Sequence, residues 1–355
     1  MVEKLKVEEG VETSAPLFTD EIEVRTLADL ARLAGVSAGT VSRALAGKSL
    51  VNVETRERIQ ALARKHGFRP NQMASKLRSR RTGVIGVVIP LGHDRRQHIS
   101  DPFFLTLLGA LADHLTESGY DLMLSRAIPD ETSDWLERMT GSGMTDGVIV
   151  IGQSDQFEVI EKVAAQYRPM VVWGHHRPGQ THCVVGTDNF LGGKLATERL
   201  IRTGARRLAF LGATGGIEIA KRFEGTVAAA KTAGLTVTHL PVHMADEQVG
   251  HEVAAALGNG SGTDFDGIVA GSDLIAMSAL RVLYENGQRI PEEVQVIGFD
   301  DLPIAAQTFP PLSTVRQEIQ DGARIMVEKL KARIAGQSTE SAVMPPSLVL
   351  RASTR

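Results

Sequence analysis

Two short polar faces separated by a glycine carry the most pointed chemistry in this chain. They are Thr26-Leu27-Ala28-Asp29-Leu30-Ala31-Arg32-Leu33-Ala34-Gly35-Val36-Ser37 and Ala38-Gly39-Thr40-Val41-Ser42-Arg43-Ala44-Leu45. Arg43 presents a fork of donors that matches the O6 and N7 acceptors of guanine, and Ala38 offers a methyl to thymine. Thr26 and Ser37 each stand where an N-cap is needed before an apolar helical period. Ala31 is small enough for two helices to cross closely, and Gly35 permits the positive φ of a tight turn. The pattern predicts a helix-turn-helix. The outer face of its second helix, Ala38, Gly39, Thr40, Ser42 and Arg43, would enter the major groove, with Thr26 and Ser37 as flanking contacts.

The elements around this motif agree with nucleic acid as its partner. Residues 25–82 hold thirteen Lys or Arg and three acids, a charge of +10 within a chain whose net charge is −3. Neutralising phosphates with such a surface releases counterions and drives binding. Residues 1–24 carry −5 without an apolar period and read as a flexible acidic leader. A third helix is expected over about Val53 to His66, with Ile59, Leu62 and Ala63 inward.

From Thr82 the texture changes. Short apolar runs (83–90, 120–125, 146–152, 168–174, 206–212, 266–271, 294–300) alternate with helical stretches. That is the signature of parallel sheets covered on both faces. The strands are too many for one nucleotide-sized unit, so two α/β subdomains are expected, with a boundary near 182–187. A final helix, about Ile319 to Ala335, and a strand, about Ser347 to Arg351, close the chain. The 355 residues include a single cysteine, Cys183, which excludes an intrachain disulfide. No apolar run approaches the length of a membrane span, and the acidic N-terminus has no secretory pattern, so a cytoplasmic protein is expected.

Other constellations are weaker. Leu211-Gly212-Ala213-Thr214-Gly215-Gly216 resembles a dinucleotide loop, but it sits mid-chain and no G-x-G-x-x-G opens the first βαβ unit. His175, His176, His182 and Cys183 straddle Pro178-Gly179 without helical spacing, so a loop is favoured over a metal site. The polar run 93–98 reads as an exposed loop or one reaching over a cleft. No nucleophile elbow, P-loop or paired catalytic carboxylates appear. Neither enzyme, cofactor nor metal is expected.

The chain resembles the lactose-repressor (LacI/GalR) family of bacterial transcription regulators. TLADLARLAGVS (26–37), TVSRAL (40–45), VNVETRERI (51–59) and GFRPNQMASKL (67–77) carry the likeness in the first part. DPFF (101–104), VGTDNFLGG (185–193), RFEG (222–225), GSDLIAMSAL (271–280), VQVIGFDD (294–301) and PPLSTVRQ (310–317) extend it. The resemblance implies an all-α helix-turn-helix headpiece (25–70), a hinge (71–82) and an α/β core of two subdomains, periplasmic-binding-protein-like and of type I (83–355). The chain would cross back near 310–318.

In the hinge the resemblance assigns DNA contacts to Asn71, Ala74, Leu77 and Arg78, with Leu77 as a minor-groove wedge. Ala38 and Gly39 depart from the family, whose readout positions there bear larger side chains. In the core it assigns effector contacts to Phe103, Phe104, Ser125, Asp188, Asn189, Lys194, Arg222, Ser272, Asp300 and Gln317. Asp300 is the leading one, while Asp273 and Asp301 read mainly as helix caps.

The function implied is a homodimeric, nucleoid-associated repressor of sugar-utilisation genes. It would bind a near-palindromic operator and be released by a small carbohydrate. A purine-responsive or corepressor-dependent regulator, and a solute-binding protein, are the alternatives.

Overall fold

The computed structural model describes residues 24–47, 50–68, 81–91, 97–129, 134–153, 155–244, 248–258 and 263–355. The chain divides into two compact units, Met1–Arg80 and Arg81–Arg355. The hinge contacts expected at Asn71, Ala74, Leu77 and Arg78 lie outside the described residues.

The first unit holds three helices, α1 (Leu27–Ala34), α2 (Ala38–Leu45) and α3 (Val53–Lys65). Thr26 opens α1 with a capping box: its hydroxyl accepts from the Asp29 amide, and the Asp29 carboxylate accepts from the Thr26 amide. Gly35 ends α1 at φ 63°, and the Val36 amide returns to the Ala31 carbonyl at 3.1 Å. Ser37 caps α2 by accepting from the Thr40 amide. Arg58 of α3 donates to the Ala34 carbonyl at 2.9 Å, tying the third helix to the turn. Leu30, Val41, Ala44 and Ile59 are fully buried in the core of this unit. Val24, within the segment read as leader, is buried there too, as are Val51 and Phe68.

The second unit carries two six-stranded sheets. Its first half runs β1 (Val84–Pro90), α4 (Pro102–Glu117), β2 (Asp121–Ala127), α5 (Trp135–Gly141), β3 (Gly147–Ile151), α6 (Phe157–Ala164), β4 (Met170–Trp173) and β5 (Cys183–Thr187). Its second half runs α7 (Asn189–Arg202), β6 (Leu208–Leu211), α8 (Ile217–Thr232), β7 (Val237–Leu240), α9 (Val249–Leu257), β8 (Gly267–Ala270), α10 (Asp273–Glu285), β9 (Gln295–Asp300) and β10 (Ser313–Arg316). Last come α11 (Ile319–Ile334), β11 (Ala342–Met344) and β12 (Ser347–Val349).

The sheet orders are β11-β5-β4-β3-β1-β2 and β12-β10-β9-β8-β6-β7. Every pairing is parallel except β10 with β12. β3, β4, β5, β6 and β8 are buried along their whole length, which is why they read as unbroken apolar runs.

The chain passes between sheets three times. It leaves the first sheet at Asp188, because α7 packs on β8 and β9. It returns at Gln317 and Glu318, because α11 packs on α4 and β4 and buries Ala323, Met326, Val327 and Leu330 in the first core. It crosses again at Pro345 and Pro346, so that β11 joins β5 while β12 joins β10. No sequence signal had distinguished that third passage.

Candidate functional site

In the first unit, the turn sequence sets which side chains α2 offers to solvent. Val41 and Ala44 are consumed by packing, which leaves Ala38, Gly39 and Arg43 exposed and Thr40 and Ser42 partly so. The Ser37 and Thr40 hydroxyls are 2.9 Å apart. Thr26 and Ser37 are exposed beside their caps. Thr26, Ser37, Ala38, Gly39 and Thr40 lie at or beside a helix N-terminus, where free amides suit phosphate, while Ser42 and Arg43 stand in the second half of α2. A Cβ added to Gly39 would meet only Arg43 Nη2 and Ser37 Oγ, each at 3.7 Å. Among the described residues nothing requires a glycine there.

In the second unit, a cleft lies between residues of the two sheets' subdomains. Phe103, Phe104, Arg222, Ser272, Asp300 and Gln317 line it. The Phe103 ring stands 5.9 Å from both Phe104 and Trp173, forming an aromatic corner at which Trp173 also faces the cleft. Asp101 caps α4 by accepting from the Phe103 amide at 2.9 Å, which fixes where the two phenylalanines begin.

Arg222 owes its place to glycines. A Cβ on Gly193 of α7 would overlap the Arg222 carbonyl, and one on Gly225 of α8 would overlap the Phe190 carbonyl. The two helices thus meet backbone to backbone, which is what the LGG and RFEG strings supply. Arg222 is buried, with its guanidinium 3.8 Å over the Phe299 ring. Its Nε donates to Asn189 Oδ1 at 2.8 Å, and its Nη1 to the Gly271 carbonyl at 2.5 Å. The same Nη1 lies 3.5 Å from Asp300 Oδ1.

Asp300 ends β9 with φ 124°, followed by Asp301 at φ 55°. Such backbone is costly for a residue with a Cβ and collects at binding sites. The surroundings hold it. Gln317 donates to Asp300 Oδ1 at 2.5 Å, and the Gln317 carbonyl accepts from the Thr187 hydroxyl at 3.1 Å. Burial pushes the Asp300 carboxyl up to about 7, although Arg222 and Gln317 both pull it down.

Asp273 sits behind Asp300. It accepts from the Thr314 hydroxyl at 2.5 Å and the Leu302 amide at 2.8 Å, and a Cβ on Gly298 would overlap it. Burial, then the Asp300 charge, raises its carboxyl well above the usual range. Asp273 holds the turn that strains Asp300, and Asp301 pairs with Arg316 at 2.7 Å and Arg351 at 2.6 Å. Capping of α10 falls to Ser272, which accepts from the Ile275 amide at 3.3 Å.

Four expected residues lie off the cleft surface. Asn189 is buried behind it, against Arg222. Asp188 caps α7, accepting from the Leu191 amide at 2.9 Å. Lys194, five residues after Asn189, lies about 140° around the helix from it; it is 3.8 Å from Glu198 with its side chain 44% exposed. Ser125 does not end β2 but pairs with Val88 inside it, and it borders a separate hollow with Met123 and Trp135.

Sequence reasoning missed Gln97, Asp101, Glu218 and Met244, which also line the cleft. Glu218, in the first turn of α8, reaches to 3.5 Å from the Gln153 amide in the opposite subdomain. Of the polar run 93–98, only Gln97 and His98 are described.

His182 is buried, with Nδ1 against Glu161 and Nε2 3.0 Å from Gln153 Nε2. Among the described residues no group of three or more His, Cys, Asp or Glu is placed to hold a metal. No described helix is long and apolar enough to cross a membrane.

The model for bacterial regulatory proteins of the lacI family matches residues 26–71, and that for a periplasmic binding protein-like domain matches residues 197–354. The chain is 31% identical over 334 residues to the HTH-type transcriptional regulator CelR of Thermobifida fusca, covering 92% of this chain and 95% of that one. It is similar to the solved structure of a CelR–cellobiose complex at 29% identity and TM-score 0.64, covering 93% of this chain and all of that one. It shares its fold with the lac repressor dimer bound to operator and the anti-inducer ONPF. There the identity is 22%, the TM-score 0.80, and the coverage 93% of this chain and 98% of that one.

Proposed function

The chain belongs to the lacI family of bacterial regulatory proteins, and from that premise we propose that it is a transcription repressor whose grip on operator DNA is controlled by a small sugar. One observation carries the reading. A capped helix-turn-helix, with Ala38, Gly39 and Arg43 exposed on its second helix, shares a chain with a cleft floored by a buried Arg222–Asp300 pair. The first reads DNA; the second suits hydroxyl groups, because a carboxylate accepts them and a guanidinium donates to them.

Arg43 reads base edges, with Thr40 and Ser42 beside it, and Thr26 and Ser37 hold phosphates. Residues 71–82 serve as a hinge, with Asn71, Ala74, Leu77 and Arg78 against the minor groove. Phe103, Phe104 and Trp173 pack the ring face of the sugar while Arg222, Ser272, Asp300 and Gln317 bind its hydroxyls. Two copies act together on a near-palindromic site. Sugar binding shifts the population between two closures of the cleft, and one of them holds DNA less well. The protein acts on the chromosome in the cytoplasm and catalyses no reaction.

The similarity to CelR, solved with cellobiose, supports a sugar over a purine. A gel shift on DNA from upstream of the chain's own gene tests the reading, with unrelated DNA as competitor. A specific complex released by a sugar is expected. Release by purines alone, or no specific complex, would overturn it.

A further inference from the structure

The face that α2 turns to solvent is positive and uncovered among the described residues. No acid stands in the first turn of that helix. The Ala38 and Gly39 amides open it, where amides lack an intrahelical acceptor and the helix dipole favours anions. Neither amide donates to another described group. Arg43 is exposed and makes no ion pair among the described residues. Asp29, the acid of α1, is already held by Thr26 and Arg32. Val41 and Ala44 point into the core, so the open face is polar and suits an anionic occupant rather than an apolar one.

The opposite charge is attached close by. Residues 1–23 hold seven acids and two lysines. Val24, where they join the headpiece, is 8% exposed and packs in the same core as Leu30 and Val41. That anchor fixes the point of departure two residues before the exposed Thr26 cap. From there α1 is about 12 Å long, and α2 begins four residues after it ends. Extended chain covers up to about 3.5 Å per residue, so Asp20 reaches about 14 Å from Val24 and Glu12 about 40 Å. Acids of the segment can therefore reach both the N-terminus of α2 and Arg43. A short tether gives them a local concentration on the order of millimolar at that face.

We infer that acids of residues 1–23 dock on the exposed face of α2 when no DNA is bound, so that the chain carries its own competitor for DNA. The inference rests on the DNA-binding reading and adds a regulation of the same face. A carboxylate and a phosphate accept from the same amides and the same guanidinium, so they exclude one another there. DNA then binds only the fraction of chains whose face is free, and its apparent affinity falls by that fraction. The factor is common to operator and random DNA. It lowers occupancy of random sequence without altering the ratio between the two.

The test uses the full chain and a variant with Glu8→Gln, Glu9→Gln, Glu12→Gln, Asp20→Asn, Glu21→Gln and Glu23→Gln, which keeps the length of the segment and leaves one acid against two lysines. Anisotropy titrations with operator and with random DNA are run from about 50 mM salt upward. If the face is covered about nine-tenths of the time, the variant should bind both DNAs about tenfold tighter at low salt. Its affinity should also fall more steeply with salt, because its binding releases counterions that the acids had already displaced. Hydrogen exchange of the two full chains without DNA reads docking itself. The segment 38–45 should exchange about tenfold faster in the variant. Deletion of residues 2–22 should reproduce both effects.

Equal DNA binding and equal exchange in all three proteins would overturn the inference and leave the DNA-binding reading standing. Tighter DNA binding with unchanged exchange at 38–45 would also overturn it, since the acids would then repel phosphates from a distance without covering α2. If none of the three binds DNA, the DNA-binding reading fails and takes the inference with it.

Discussion

Arg222 Nη1 and Asp300 Oδ1 lie 3.5 Å apart at the floor of the cleft, both side chains buried, with Phe299 stacked beneath the guanidinium. Neither group is fully neutralised by the other. Arg222 is shared with Asn189 and Gly271, and Asp300 with Gln317. On the proposed reading the pair also meets a polar ligand in the cleft. Replacing Asp300 by Ala should abolish the thermal shift given by the responding sugar, about 2.7 kcal/mol of stabilisation at one hundred times the dissociation constant in the wild type. Differential scanning fluorimetry checks it, and a shift that survives removes Asp300 from the site.

The raised Asp300 carboxyl makes a second prediction, in pH. Its folded value of about 7 lies above the ordinary 3.8, so between those limits the folded protein keeps a proton that the unfolded chain has lost. Its contribution to stability is complete below about pH 4, declines as pH rises and is gone above about 7. Urea midpoints of wild type and Asp300→Asn should therefore diverge in slope across that window, the wild type losing stability faster. Asp273 adds to the same sign, because burial, and after it the Asp300 charge, raises its carboxyl too. A difference between the two proteins that is constant with pH would contradict the assignment.

Gly39 separates folding from recognition. A Cβ there meets nothing closer than 3.7 Å among the described residues, and a helical glycine costs about 1 kcal/mol relative to alanine. Gly39→Ala should raise the headpiece's stability by up to that amount. It should also weaken operator binding, because the added methyl stands on the face offered to the groove. Thermal melts and anisotropy titrations of the same preparation check both halves. Unchanged operator affinity would place Gly39 away from the DNA.

Arg43→Ala should cost about 1–3 kcal/mol on the operator and much less on random DNA, as for a bidentate contact to guanine. Equal losses on both would make Arg43 a phosphate contact.

Gly193→Ala should destabilise the second unit by about 1–3 kcal/mol, because its Cβ overlaps the Arg222 backbone and two helices must part. Gly141→Ala, where a Cβ meets nothing within 4 Å, should not. Urea denaturation of the two variants checks it; equal effects would mean that the helix contact is soft.

What was legible in the sequence was local. The Thr26 and Asp29 box, the Gly35 turn and the Ser37 cap are each set by residues within a few positions, so the headpiece could be read directly. Buried strands announced themselves as apolar runs. Arg222 and Asp300 stood beside glycines and turns that the resemblance marked out. What was not legible depended on topology and phase. Lys194 failed because five residues along a helix is a different face. Gln97, Glu218 and Met244 reach the cleft from segments whose placement only the assembled sheets decide. Val24 looked like leader because one apolar residue makes no period, yet it closes the headpiece core.

The central claim is that one chain couples a DNA-reading helix to a sugar in the cleft. Anisotropy of a labelled fragment from upstream of its own gene, titrated with wild type and Asp300→Ala with and without the responding sugar, tests it most directly. Both proteins should bind the fragment, and the sugar should release the wild type while leaving Asp300→Ala bound. Equal release of the two would place the sugar's action outside this cleft and contradict the account.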